Sequence, residues 1–351
     1  MNHLSLKALR STSGLLLLAS FTASVYAQQE QAVLNNSGAV IASMSAAQAV
    51  VAGMHDDALS ERLGAVRLSS ADRGGVWISY FGGVSRNTSD TDISNFDIED
   101  AAFRLHTNGV MLGGDTLIGA ENGHWLAGLA VSAARSHLTT RGHSHCDCDV
   151  LQTNNGDIKS YGMHGYLSRQ YDNGVYVDTS LVIYHLSNSA TIKHGVNTAL
   201  DYSVNGFGGA VKVGYHYLNS GGLFAEPYAR VSAKTFESAG YEFAEEDDYA
   251  SVHNEASNSV RGEIGGKLGM KLPVHNAEVS PYLQAAFTNE FAGRNKFHAR
   301  NGEGLESVSV KTDGAAVRMG AGVQASLTKN AGAYASLSYL KGEHREEPLQ
   351  G

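Results

Sequence analysis

The sequence predicts an all-β protein, an antiparallel up-and-down β-barrel crossing a membrane, with an N-terminal helix in its lumen. Three observations carry this. Alternating polarity runs through eleven segments between Gly75 and Gly342. The connections between them alternate short and long without a slip. Beyond the first residues, no segment has the run of roughly 20 apolar residues that a membrane helix needs.

Residues 1–27 have the form of an export signal. Lys7 and Arg10 supply the basic start, 14–21 the apolar core, and Val25-Tyr26-Ala27 the small-residue cleavage pattern. Residues 28–45 are expected to be a short linker or passenger remnant with no core of their own. Residues 46–68 read as a helix, because helix formers dominate and Val51, Met54, Ala58 and Leu59 recur at helical spacing. The barrel is expected over 74–351.

The strands are placed at 75–84, 104–119, 124–137, 157–170, 174–188, 200–218, 222–238, 257–272, 277–292, 306–328 and 332–342. Successive side chains of a strand face opposite ways, so a wall in lipid needs apolar residues at every second position. From Val260, one face carries Val260, Ile264, Leu268 and Met270, and the other Arg261, Glu263 and Lys267. From Leu223, Leu223, Ala225, Ala229 and Val231 alternate with Glu226, Tyr228, Arg230 and Lys234. From Ala315, Val317, Met319, Val323 and Leu327 alternate with glycines, Arg318 and Gln324. A charge facing lipid near the midplane costs about 2–4 kcal/mol. The lumen should therefore receive Glu226, Arg230, Lys234, Arg261, Glu263, Lys267 and Arg318.

Short connections at 120–123, 171–173, 219–222, 273–277 and 328–332 suit the periplasmic side. Longer ones at 85–103, 138–156, 189–199, 239–256 and 293–305 suit the exterior. Trp77, Tyr80, Trp125, Tyr171, Tyr215, Tyr217 and Tyr339 lie near strand ends and fit interfacial girdles.

Composition agrees. The 351 residues include 40 Gly and only 4 Pro, which suits close-packed strands whose lumen side must leave room. A mean hydropathy of -0.20 is normal when half of each strand is polar. The net charge is -9; without Lys7 and Arg10 it becomes −11, from 24 basic against 35 acidic residues. This excludes a nucleic-acid binder, which needs a basic face. Two cysteines, Cys146 and Cys148, exclude a disulfide scaffold.

Several stretches together resemble the translocator domain of the autotransporters, the pertactin-like barrels of type V secretion. Leu59, Arg62, Leu63, Gly64, Val66 and Arg67 resemble the family's pore-helix motif. Gly75-Val76-Trp77 resembles the opening of its first strand, and Leu112-Gly113-Gly114-Asp115 a second-strand pattern. Glu226-Pro227-Tyr228, Pro281-Tyr282-Leu283 and 334–342 resemble later strands. The resemblance implies a twelve-stranded outer-membrane barrel with a helix through it, carrying an N-terminal passenger to the cell surface. Asp56, Asp57, Glu61, Arg62 and Arg67 of the helix would then pair with the charged lumen. Implied partners are outer-membrane lipids and, during biogenesis, periplasmic chaperones and the barrel-assembly machinery. Conduction of a polypeptide needs no bond chemistry, so no cofactor, metal or catalytic residue is expected.

Two departures bear on function. Only about 18 residues separate the signal from the helix, so the passenger is nearly absent. The family's closing strand follows a loop like 344–350, and here it is expected to be missing, which would make the chain a truncated or degenerate translocator. A passenger-free barrel acting as a small plugged pore or surface protein is the alternative. A barrel enzyme is a third class, but no nucleophile–base grouping is recognisable. His137, His143, His145, Cys146 and Cys148 concentrate metal-ligand types without the spacing of a zinc site, and read as a polar loop. Asn35-Asn36 resembles the cleavage pair of self-processing family members, but lies well upstream of Arg62. Residues 245–248 form an acidic loop.

Overall fold

The computed structural model describes residues 25–69, 74–93, 96–141, 153–194, 196–244, 249–275, 277–301, 304–328 and 331–351. The basic start and apolar core of the expected export signal, the His143–Cys148 stretch and the acidic loop 245–248 lie outside the described residues.

Twelve strands build the wall. They are β1 (Gly75–Ile93), β2 (Phe96–Ala120), β3 (Gly123–Arg141), β4 (Thr153–Tyr171), β5 (Val175–His194), β6 (Val196–Tyr215), β7 (Leu223–Phe236), β8 (Ser257–Met270), β9 (Ala277–Glu290), β10 (Gly314–Thr328), β11 (Ala331–Gly342) and β12 (Arg345–Gln350). Neighbours are antiparallel throughout, and β12 pairs with β11 on one side and β1 on the other, so the ring closes. At the level of β12 the ring has no open sheet edge, the condition for a β-structure to span lipid. Val76, Ile78, Leu112, Met163, Ile183, Ile264, Leu283 and Met319 project outward and are exposed, forming the lipid-facing belt.

The expectation of a missing closing strand is corrected by β12. Its sequence, Arg345-Glu346-Glu347-Pro348-Leu349-Gln350, is charged and interrupted by proline, so it lacks the alternation that marks the other strands. Pro348 has no register partner on either side, because both ladders of β12 slip there. Its missing N–H therefore removes no ladder bond. Glu347 is buried against Arg345, while Leu349 faces outward. Beyond Gly351, which exchanges two backbone hydrogen bonds with Gly82, no described strand lies between 75–81 and 331–337.

The segments expected as long loops are largely strand. β1 through β6 continue well beyond the belt. Two further hairpins, Ala239–Ala244 with Tyr249–Asn254 and Arg294–Asn301 with Gly304–Lys311, rise on the opposite side of the ring. They pair with each other, and the second also pairs with β1. Outside lipid the outer face turns polar, so the alternation used to find strands fades there.

Helix α1 (Val25–Leu68) has 44 residues, and it starts upstream of the expected 46–68. At 1.5 Å per residue it is about 66 Å long. The segment 28–45, expected as linker, is helical, and Asn35-Asn36 lies within it. An apolar collar explains the order from Val40 onward. Val40, Ile41, Met44, Ala47, Val50 and Val51 are buried among Leu105, Leu138, Ile158, Leu186, Leu200, Val204, Phe297 and Val310 of the upper wall. A helix enclosed on all sides has no need of a single apolar stripe.

Glycine content also has a structural cause. Inward aromatic rings lie flat over the glycine directly opposite on the next strand: Trp77 over Gly113, Tyr166 over Gly128, Tyr176 over Gly214 and Tyr282 over Gly322. A Cβ on Gly113 would sit 2.4 Å from the Trp77 ring, and one on Gly214 2.3 Å from the Tyr176 hydroxyl. Trp77 therefore points into the lumen, correcting its expected place in an interfacial girdle, whereas Tyr80, Tyr171, Tyr215, Tyr217 and Tyr339 do face outward.

Candidate functional site: the lumen helix and its ionic collar

Below the apolar collar the lumen turns polar. Consecutive helical residues are rotated by about 100°, and the charged residues of α1 fall on three faces, each met by a different arc of wall.

One face carries Asp57 and Glu61, four residues apart. Asp57 accepts from Arg230 of β7 at 2.8 Å, Arg261 of β8 at 2.7 Å and Arg318 of β10 at 2.8 Å. Glu61 accepts from Lys267 of β8 at 2.9 Å and from the Tyr282 hydroxyl of β9 at 3.1 Å. Glu263 lies 3.9 Å from Arg318 and accepts a bond from Tyr228 at 2.9 Å. A third acid thus helps to balance three guanidinium groups. Gly64 of the helix leaves room for Lys267, whose Nζ would be 3.1 Å from a Cβ there.

A second face carries His55 and Arg62. Arg62 donates to both Asp115 oxygens of β2, at 3.1 and 2.9 Å, and lies over the Trp77 ring. Trp77 donates to Tyr166, which donates to the same carboxylate, each at 3.0 Å. His55 bridges Ser132 of β3 at 2.6 Å and Ser160 of β4 at 2.9 Å.

The third face carries Asp56 and Arg67. Asp56 pairs with Lys234 of β7 at 3.0 Å and accepts from Tyr184 of β5 at 2.5 Å. Arg67, in the last turn, donates to Asp178 of β5 at 2.9 Å and to Glu226 of β7 at 3.2 Å. Its guanidinium lies 3.7 Å from the centre of the Tyr176 ring.

The structure thus brings all twelve charged residues singled out in the sequence into one lumen. It adds Asp115, Asp178, Tyr176, Tyr184 and His55, which sequence reasoning passed over. Asp115 and Asp178 stand at inward positions of alternating strands, so parity could have found them. The tyrosines were unreadable, since polar rings suit either wall face. Each pair exchanges hydration for Coulomb attraction at close range, so the network fixes register and rotation of the helix more than it adds stability.

Beside the lower helix, between it and the walls of β1 and β11, lies a cavity of about 960 Å³. Arg62, Tyr334, Gln324 and Lys212 help to line it. Lys212 is buried over the Tyr228 ring at 4.0 Å and has no ion pair among the described residues.

Comparison with known proteins places the class. The autotransporter β-domain family model matches residues 76–338, and the chain belongs to that family. It is 30% identical over 312 residues to the putative uncharacterized protein YaiT of Escherichia coli K12, covering 86% of this chain and 28% of that one. It is 29% identical over 310 residues to the autotransporter CRAC of Citrobacter rodentium, covering 88% and 18% respectively. The chain thus spans under a third of the length of these curated relatives. The β-domain of the Bordetella autotransporter BrkA superposes with a TM-score of 0.56 at 23% identity, over 80% of this chain and 96% of that one.

Proposed function

We propose that this barrel is an outer-membrane translocator that conducts or anchors an N-terminal passenger at the cell surface, the passenger being whatever chain follows the signal and precedes Val40 of α1. The observation behind this reading is the helix itself. It lies in the lumen with its C-terminal Arg67 at the short-turn end and its stretch from Val40 to Val51 in the apolar collar toward the other. Chain upstream of Val40 then leads out on the long-loop side. In the closed state the barrel serves as an anchor, because sliding the helix would break pairs on three faces and expose the collar. Asp56, Asp57, Glu61, Arg62 and Arg67 act as the locking set. Export by the N-terminal signal, delivery by periplasmic chaperones and insertion by the barrel-assembly machinery belong to the same proposal.

The test is an epitope placed between the signal and Val40, probed with antibody on intact cells. Labelling without permeabilisation is expected. An epitope reached only after the outer membrane is breached refutes the reading.

The cavity beside the helix favours a second reading, a passenger-free plugged pore. In that case intact cells would show no surface label at the N-terminal side, yet the purified barrel would conduct small ions.

A further inference from the structure

The outer face of β1 to β4 changes character on the long-loop side of the lipid belt. The last apolar row there runs through Tyr80, Val110, Ala133 and Tyr161, register partners on successive strands. One step further along, Asn108, Arg135 and Lys159 stand side by side. The next step brings His106 opposite His137, and the one after it Arg86 opposite Arg104. All six basic side chains are exposed.

Two pairs of like charges, Arg86 with Arg104 and Arg135 with Lys159, are therefore direct cross-strand partners, an arrangement that destabilises a sheet on its own. Compensation within the chain is partial. Glu346 takes Arg86 at 3.2 Å, and Asp157 lies 3.4 Å from Arg135 and 3.5 Å from His137. Arg104 and Lys159 have no ion pair among the described residues. The run of basic side chains on β2 to β4 does not continue onto β5 and β6. At the level of Lys159 they present Ser187 and Ser203, and one step further Ser189 and Asp201.

We propose that this patch binds the phosphate-bearing headgroup of a glycolipid in the outer leaflet, with Arg104, Arg135 and Lys159 as the principal contacts. The inference rests on the outer-membrane reading above. Guanidinium groups match phosphate oxygens in a planar fork, and lysine adds a point charge. Four strands span about 14 Å, wide enough for more than one phosphate. A lipid is the occupant because the cations begin directly above Tyr80, Val110 and Tyr161. Acyl chains lying on those side chains place their headgroup at the level of Arg135 and Lys159. A soluble anion would gain nothing from that continuity.

The experiment uses the full chain purified from outer membranes, beside Arg104→Glu/Lys159→Glu and the milder Arg104→Gln/Lys159→Gln. Each is mixed in detergent with bisphosphorylated lipid A or its dephosphorylated form, and retained lipid per barrel is read by native mass spectrometry. Wild type is expected to prefer the phosphorylated form by about tenfold, the size of several screened ion pairs acting together. The Gln variant should lose part of that preference and the Glu variant all of it, with unchanged heat-modifiable gel mobility. Equal retention by folded wild type and variants overturns the site. Displacement of the lipid by inorganic phosphate at matched concentration overturns its assignment to a lipid. Absence of wild type from the outer-membrane fraction defeats the membrane reading itself, and the site with it.

Discussion

Asp57 is the most heavily committed residue of the lumen, since three arginines from β7, β8 and β10 converge on it. Asp57→Ala would leave them facing one another, with Glu263, Asp56 and Glu347 as more distant acids. Removing one partner of a buried ion pair costs about 3–5 kcal/mol, so the temperature at which the folded band disappears on heated gels should fall well below wild type. Glu61→Ala should fall less, because that side chain is partly exposed and pairs with one cation rather than three. Glycine positions give a second test. Gly113→Ala pushes a methyl group into the Trp77 ring. Overpacking of this kind costs about 1–3 kcal/mol, and the loss should be partly recovered by the double variant Gly113→Ala/Trp77→Leu. Thermal unfolding in detergent reads both; equal melting of wild type and Gly113→Ala would show that the ring moves freely.

The helix is two elements in one. Its last turns are registered by ion pairs and the stretch 40–51 by apolar contacts around Met44 and Val51, both fully buried. Met44→Asp places an unpaired carboxylate in the collar, where burial without a partner is strongly unfavourable. The variant is expected to release the upper helix, so that protease added to purified barrel cuts between Val40 and Met54 while the wall stays intact. A wild-type digestion pattern would show that the collar does not hold the helix. β12 illustrates the opposite case, a strand of six residues whose place is set by its neighbours. Its two slipped ladders around Pro348 let a charged, proline-bearing segment close the ring.

For the whole molecule, the apolar collar and the ionic lumen act in series along one axis. Ions crossing the barrel must pass both, so purified wild type in a planar bilayer should conduct poorly. Deleting 40–68 removes the plug and its charges together, leaving Arg230, Lys234, Arg261, Lys267 and Arg318 facing water. Conductance should then rise by an order of magnitude or so, with a mild preference for anions set by the excess of these residues and Lys212 over Asp115, Asp178, Glu226 and Glu263. Similar conductance before and after the deletion would place the main ion path outside the space the helix occupies.

Alternation in the membrane belt was legible from residues alone. A charge in lipid is so costly that it leaves a period of two in every wall strand, and that period placed Arg230, Arg261, Lys267 and Arg318 on the inner face. Short and long connections likewise disclosed the up-and-down order. Three things were decided only in three dimensions. Strand continuation above the belt was hidden because water tolerates either face. The upper helix took its order from a collar assembled from strands far apart in sequence. Closure by β12 depended on two edges, β1 and β11, that meet only when the sheet curls, and no local pattern in Arg345–Gln350 encodes their meeting.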